Sequence, residues 1–280
     1  METKAISSVK IKRTRLTAVA ILALATTLSL NAFSANSGGG ANESYITLDL
    51  QLGKMADYGA TPWYTSDISL GTSHVNFALD TGSNFIWATS DQCGTPACSM
   101  HNKVNTNQPG FYWVDRRTIK RSFGPWGSMQ TWTGNVLFDY GTRNANNGNT
   151  SGYPDSSINI LFFASITYLG SKFSLLAWDG GIGFPSRSDQ VEPGSDFFFG
   201  KLLESGRVTI AELSMYTNSA EKTGAVYLGG GNPTKFIANT EVVLQPKSSA
   251  IPYLWGTNLY DFSVGQQLLP ALQNQVFFID

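Results

Sequence analysis

The sequence NFALDTGSNFIWA, from Asn76 to Ala88, contains two apolar runs that flank a short polar segment. Apolar runs on either side of a polar turn predict two β-strands joined by a loop. Asp80 stands at the start of that loop, where a carboxylate between two apolar strands needs hydrogen bonds to stay charged. Gly82 permits a tight turn, and the hydroxyls of Thr81 and Ser83 are able to donate to the carboxylate. We therefore predict that Asp80 is held ready for proton transfer.

Four further segments accompany this hairpin in a regular order. They are CGTPAC (Cys93 to Cys98), FGPWGSM (Phe123 to Met129), WDGGIGF (Trp178 to Phe184) and YLGGGNP (Tyr227 to Pro233). Together with DTGS and the Trp87 that follows it, they resemble the pepsin family of aspartic peptidases. In that resemblance they correspond to a small disulfide loop, a flap hairpin, an Asp-Gly segment near the active-site loop and a Gly-rich stretch at the lobe junction. The similarity covers most of the chain from about Tyr64.

The resemblance implies an all-β protein, mainly β with a few short helices. The expected architecture is a pepsin-like bilobal closed β-barrel aspartic protease fold with an incomplete second lobe. Composition agrees, because the 280 residues include 28 glycines and 12% aromatic residues but only 14% charged residues. Short strand-like runs such as YITLDLQL, NILFFASITYL, GAVYL and NTEVVLQ alternate with turn-forming residues. One short helix is expected in FFFGKLLES (Phe197 to Ser205), ended by Gly206.

The first 35 residues have the three-part pattern of a secretory signal peptide. Basic residues precede an apolar run from Leu16 to Leu30, which small residues follow. The run is short for a membrane span, so we expect a secreted or periplasmic protein with no membrane attachment after signal cleavage. Removal of residues 1–35, with five basic residues and one acidic residue, changes the net charge from −1 to −5. This charge gives no basic patch for nucleic acid.

Beyond the signal peptide the predicted organisation has three parts. Residues 36–60 form an N-terminal linker and first strand, residues 61–220 a pepsin-like N-terminal lobe, and residues 221–280 the start of a truncated C-terminal lobe. The chain ends in the apolar run NQVFFID, and the family's second active-site loop begins with such a run before its own aspartate. Asp280 is therefore the expected second catalytic aspartate. We interpret the chain as a fragment of a longer reading frame. We also expect no basic prosegment between the signal peptide and the first lobe.

The resemblance assigns the site residue by residue. Asp80 and Asp280 would be catalytic, with the active-site loop supported by Thr81, Gly82 and Ser83. The residues expected in the flap and around the substrate are Phe123, Gly124, Trp126, Gly127, Ser128 and Trp87. The family's flap usually carries a tyrosine that bonds to the tryptophan after the first loop, whereas this chain offers Phe123 and Trp126. Two interpretations stay open: Trp126 donates a hydrogen bond through its indole, or both aromatic rings only pack.

Cys93 and Cys98 are the two cysteines of the chain, and export to an oxidising compartment predicts one disulfide between them, as the resemblance also implies. A zinc site is the competing interpretation, but His74 and His101 are the only histidines, which gives too few ligands. We expect both histidines to be surface or loop residues, and we expect no metal and no cofactor. The shortage of histidines also argues against Ser-His or Cys-His catalysis. The resemblance makes Asp179 a structural residue that caps a turn.

The function that the resemblance implies is that of a secreted aspartic endopeptidase. It would hydrolyse peptide bonds with an Asp-activated water, in acid, with a preference for hydrophobic residues. The expected partner is a polypeptide substrate, and the expected state is a monomer. The alternative is a catalytically inactive pepsin-like binding protein, which the altered flap favours and the intact DTGS disfavours. A homodimer that pairs two Asp80 loops ranks last, since the chain is longer than that arrangement needs. A carbohydrate-binding β-protein would not explain DTGS together with the cysteine loop and the flap.

Overall fold

The structure is a computed structural model that describes most of the chain between Tyr45 and Ile279. The described residues are 45–53, 63–65, 68–123, 126–140, 157–186, 191–235, 248–250, 254–259, 263–264, 266–268 and 275–279. The predicted signal peptide, Gly124, Asp280 and the predicted strand in NTEVVLQ lie outside these residues.

The described chain consists mainly of β-strands, which confirms the all-β prediction. The strands are β1 (Ile46–Leu52), β2 (Trp63–Thr65), β3 (Ser69–Leu70), β4 (Ser73–His74), β5 (Phe77–Asp80), β6 (Ile86–Thr89), β7 (Tyr112–Ser122), β8 (Ser128–Asp139), β9 (Ser157–Leu169), β10 (Gly180–Gly183), β11 (Leu213–Asn218), β12 (Thr223–Leu228), β13 (Trp255–Leu259), β14 (Ser263–Val264), β15 (Gln267–Leu268) and β16 (Gln275–Ile279).

Within the described residues, helical structure is limited to short segments. The helix α1 spans Phe198–Glu204 and lies where the sequence predicted it, with Phe198, Phe199 and Leu202 buried. Three 3₁₀ turns span Pro96–Met100, Ser171–Leu175 and Pro233–Lys235. Among the described residues, no helix combines the length and the apolar character needed to cross a bilayer.

Within the described residues, twelve strands join in one sheet. Its order is β11-β12-β1-β2-β5-β10-β6-β9-β8-β3-β4, and β7 adds to β8. The long hairpin of β8 and β9 is antiparallel, whereas β6 and β9 are parallel. The main core lies against this sheet, and Phe77, Phe138, Phe162 and Phe198 are among its fully buried side chains.

The strand β10 occupies the centre of the arrangement that positions Asp80. It runs parallel to β5, with Gly183 opposite Asp80, and antiparallel to β6, with Gly181 opposite Trp87. The two strands of the predicted catalytic hairpin are therefore not paired with each other but with a segment about a hundred residues further along. A side chain at Gly183 would place its Cβ 2.7 Å from the backbone nitrogen of Phe85, so the strand fits here only without one.

Within the described residues, two further strand pairings are not part of the large sheet. The strand β13 pairs with β16. The strands β14 and β15 pair in antiparallel register, with Ser263 opposite Leu268, in a separate compact unit.

The predicted disulfide between Cys93 and Cys98 is present, with a sulfur–sulfur distance of 2.04 Å. Both cysteines are buried in a second hydrophobic cluster that also contains Trp87, Phe163 and Phe173. The disulfide thus closes the loop after β6 and packs against these aromatic residues.

Replacement of both cysteines by alanine is expected to lower the free energy of unfolding by about 2 kcal/mol, because the short loop constrains the unfolded chain only modestly. Urea unfolding of the oxidised wild type and of the double variant measures the difference. Reduced wild type is the matched control and should lose a similar amount. No loss in either sample would contradict a stabilising role for the disulfide.

Candidate active site

Asp80 is the last residue of β5, and its side chain is partly exposed. Its Oδ1 accepts a hydrogen bond of 2.8 Å from the backbone N–H of Gly82, and its own carbonyl accepts one of 2.8 Å from the N–H of Phe184. The backbone on both sides of the carboxylate is therefore fixed, while the carboxylate itself faces the solvent-accessible groove.

The residues after Asp80 play unequal parts in the loop. Thr81 is buried and Gly82 is exposed. The Oγ of Ser83 is buried without a hydrogen-bond partner among the described residues. The expected donation from Ser83 to the carboxylate is therefore not seen there, whereas the Gly82 amide does donate to it.

Asp179 is a buried carboxylate that joins three segments of the chain. Its Oδ2 accepts hydrogen bonds from the backbone N–H of Asn76 at 2.8 Å and from the side-chain amide of Asn102 at 2.9 Å, and its Oδ1 accepts one from the N–H of Asn102 at 2.9 Å. The ring of His101 lies in the same network, with Nδ1 3.4 Å from Asp179 Oδ1. Because Asn76 directly precedes β5, Asp179 positions the strand that carries Asp80, as its predicted structural role requires.

His101 and Tyr168 complete the surroundings of Asp179. His101 lies in a loop, as expected, but its ring is buried, and Nε2 is 2.8 Å from the carbonyl oxygen of Phe173. The Tyr168 hydroxyl is 2.5 Å from Thr89 Oγ1, which donates to the carbonyl of Asp179 at 2.9 Å, so the tyrosine is the donor in the shorter bond. Burial raises the pKa of Tyr168, which keeps this hydroxyl protonated.

An apolar groove of about 360 Å³ opens beside Asp80. Its walls consist mainly of aromatic and aliphatic side chains, with Asp80 and Thr81 as the polar exceptions. The lining residues are Leu50, Trp63, Ala78, Leu79, Asp80, Thr81, Trp87, Phe123, Trp126, Phe173, Leu176, Trp178, Gly181 and Met215. A charged group in an otherwise apolar cleft is the usual character of a ligand or active site.

The segment predicted to form the flap joins β7 and β8, which pair as an antiparallel hairpin. At its tip the N–H of Phe123 donates to the carbonyl of Gly127 at 2.9 Å, and the N–H of Trp126 donates to the carbonyl of Phe123 at 2.9 Å. The Phe123 and Trp87 ring centroids are 5.3 Å apart, so Phe123 makes the flap contact by ring packing. Ser128 is buried at the start of β8, where its side chain lies away from the groove.

Gly181 leaves the space that the Trp87 indole occupies. A Cβ at Gly181 would lie 2.5 Å from Trp87 Nε1, which is too close for any side chain. Here the glycine and the indole together form one wall of the groove.

Substitution of Gly181 by isoleucine should therefore force the Trp87 indole out of its place. We expect a loss of about 1–3 kcal/mol in the free energy of unfolding, as is typical of overpacking, and a change in tryptophan fluorescence. Gly94→Ala is the matched control, because a Cβ there meets nothing within 4 Å. Equal free energies of unfolding and equal tryptophan fluorescence in the two variants would show that the Trp87 indole moves aside without cost.

Several groove residues were not among the predicted site residues. Leu50 and Trp63 come from β1 and β2, Met215 from β11, and Phe173 and Leu176 from the 3₁₀ turn after β9 and its end. The alternation of apolar and polar residues in ITLDLQL is the sequence signal that could have indicated the inward-facing position of Leu50. The others depend on non-local contacts that the sequence pattern does not reveal.

The described part of the chain contains no cluster of three or more His, Cys, Asp or Glu side chains arranged to hold a metal ion. Of the acidic groups near the groove, Asp80 accepts a hydrogen bond from Gly82, and the buried Asp179 accepts hydrogen bonds from Asn76 and Asn102.

The comparisons with known proteins agree with this geometry. The family model described as eukaryotic aspartyl protease matches residues 63–278. The chain is 30% identical to pepsin A of Canis lupus familiaris over 172 residues, which cover 60% of this chain and 40% of that protein. It is 28% identical to pepsin B of the same species, over 73% of this chain and 49% of that protein, and 28% identical to vacuolar protease A of Neurospora crassa, over 66% and 44%.

The chain thus spans about half or less of the length of these curated relatives. The family match nevertheless covers well over half of the chain and includes the Asp80 loop, the disulfide loop, the flap hairpin and β10. The chain belongs to the eukaryotic aspartyl protease family.

Proposed function

We propose that this chain is part of an aspartic endopeptidase in which Asp80 is one of two catalytic carboxylates. The observation that carries the proposal is the position of Asp80 at the end of β5, held by Gly82 and open to an apolar groove beneath the flap. Membership of the aspartyl protease family supports the same chemistry.

In the proposed mechanism Asp80 and Asp280 share one proton and hold a water between them. Two adjacent carboxyl groups cannot both ionise easily, an effect for which aspartic proteases are themselves the standard example. The ionised carboxylate takes a proton from the water as it attacks the peptide carbonyl, and the protonated one gives its proton to the carbonyl oxygen. Transfer of a proton to the nitrogen then breaks the C–N bond without a covalent enzyme intermediate. Asp280 lies outside the described residues, so its part rests on the sequence resemblance.

The groove supports an extended peptide as the substrate. Its walls are apolar, and side chains of the substrate would be buried against rings such as Trp87, Phe123 and Trp178. We infer a preference for hydrophobic residues beside the cleaved bond. The flap would cover the peptide, whose backbone would pair with the protein as an added strand. Activity in acid follows from the need for one protonated carboxyl in the pair.

The remaining proposals concern the whole protein. We infer a signal peptide in residues 1–35, a secreted or periplasmic location and a monomeric state. We also keep the division into residues 36–60, 61–220 and 221–280 as the proposed domain organisation. The apolar pattern of residues 1–35 and the resemblance to the family support these inferences.

Peptide cleavage is tested with the full-length protein, and the same substrate mixture incubated without it is the control. A mixture of denatured proteins is incubated between pH 2 and pH 7, and mass spectrometry identifies the new peptide ends. The proposal predicts cleavage in the acid range with hydrophobic residues on both sides of the cut. Binding of peptides without any cleavage would instead identify an inactive binding protein.

A further inference from the structure

Arg121 is a buried cation close to the flap tip. It lies on β7, two residues before Phe123, and its side chain is 8% exposed. Its Nη1 donates to Glu192 Oε1 at 2.8 Å. A buried guanidinium is destabilising unless an anion compensates it, so the position of Arg121 depends on Glu192.

The guanidinium also lies against two aromatic rings. Its central carbon is 3.7 Å from the ring centroid of Phe163 and 5.3 Å from that of Phe85. Phe85 belongs to the loop after Asp80, and Phe163 on β9 stands opposite Trp87 on β6. Arg121 Nε has no hydrogen-bond partner among the described residues, which leaves the ion pair and the two rings to hold the side chain.

Glu192 is attached to the active-site loop by its own backbone. Its N–H donates to the carbonyl of Asn84 at 3.0 Å. Ser195, three residues after Glu192, makes a second contact with the same part of the chain, because the N–H of Ile86 donates to Ser195 Oγ at 2.8 Å. The segment around Glu192 thus holds the residues that leave the DTGS loop.

These contacts form a connection from the flap strand to the active-site loop. We propose that Arg121 is a positioning residue that fixes the flap strand relative to Asp80, through Glu192 on one side and Phe85 on the other. This inference rests on the proposed peptidase function. Arg121 is not among the residues that line the groove, so it acts through the flap and the loop.

The same strand supplies a matched control. Arg117 also lies on β7 and pairs with a carboxylate, Asp115, at 2.6 Å, but its side chain is 87% exposed. This pair connects residues of one strand and reaches neither the flap tip nor the loop. Removal of either arginine changes the net charge equally. Of the two ion pairs, Arg121–Glu192 connects the flap strand to the active-site loop, and Arg117–Asp115 does not.

The test measures kcat and KM of the full-length protein for one peptide at one pH. Arg121→Gln and Glu192→Gln are each expected to lower kcat by roughly 10- to 100-fold, because small displacements of positioned groups have effects of this size. The double variant should be no worse than the single ones, since the two residues act as a pair. Arg121→Lys keeps the charge and should restore part of the rate. Arg117→Gln should match the wild type.

Hydrogen exchange provides a second readout that does not require catalysis. Amides in residues 80–86 and 122–129 should exchange faster in Arg121→Gln and Glu192→Gln than in wild type or Arg117→Gln. Unchanged kinetics and unchanged exchange in both segments would overturn the inference, even if thermal stability fell. If the wild type cleaves nothing, the proposed function fails, and the exchange measurement alone decides whether Arg121 positions the flap.

Discussion

Substitution of Asp80 by asparagine is expected to lower peptide cleavage by at least about 10²–10⁴-fold. Asparagine has almost the same shape, and its side-chain oxygen is able to accept the hydrogen bond that Gly82 donates to Asp80 Oδ1. The loop should therefore remain folded. The lost property is the ability to take up and release a proton at this point, which the proposed mechanism needs in every turnover.

The variant is compared with wild type at equal concentration across the acid range, with circular dichroism and thermal unfolding as checks of the fold. Asp115→Asn, which alters a partly exposed carboxylate on β7 that pairs with Arg117, is the matched control and should keep full activity. Asp280→Asn should reproduce the loss seen for Asp80→Asn. Full activity in Asp80→Asn would remove this residue from the mechanism.

Substitution of Asp179 by alanine is expected to have the largest effect on stability, a loss of about 3–5 kcal/mol in the free energy of unfolding. The carboxylate is 4% exposed and accepts hydrogen bonds from Asn76 and Asn102, and it lies beside the buried ring of His101. Truncation would leave the donors buried without acceptors, which is more costly than the loss of the bonds themselves.

Urea unfolding measures this loss, and Asp115→Ala serves as the control that leaves stability essentially unchanged. The stability loss of Asp179→Asn should lie between those of Asp179→Ala and Asp115→Ala, because asparagine keeps one acceptor oxygen and replaces the other by a donor. Since Asn76 precedes the strand that carries Asp80, cleavage should decrease along with stability. An Asp179→Ala protein as stable as wild type would mean that water replaces the carboxylate.

Local patterns in the sequence were sufficient for several features. Apolar runs around DTGS predicted the strands on either side of Asp80, and FGPWGSM predicted the flap turn. The helix that begins at Phe198 and the Cys93–Cys98 disulfide were predicted as well. Each of these depends on residues close together in the chain, where periodicity and turn chemistry determine structure.

Features that depend on distant contacts were not predicted. The insertion of β10 between β5 and β6 pairs residues about a hundred positions apart, and hydrophobic periodicity has no information about such pairing. The contact of the buried His101 ring with Asp179 joins positions 78 residues apart, and the lack of a partner for the Ser83 hydroxyl among the described residues is not visible in the sequence either. The ion pair of Arg121 with Glu192 is equally non-local, since 71 positions separate the two residues.

The central claim is that Asp80 and Asp280 together activate a water for attack on a peptide bond. Calorimetric titration with two matched peptides tests it most directly, one with a tetrahedral hydroxyl-bearing carbon in place of the cleaved carbonyl and one with a plain methylene there. We expect the full-length wild type to bind the hydroxyl analogue at least about 10²-fold more tightly, as transition-state mimicry requires, and Asp80→Asn to lose the difference. Equal affinity of the wild type for both peptides, or an unchanged difference in Asp80→Asn, would contradict activation of a water by the two aspartates.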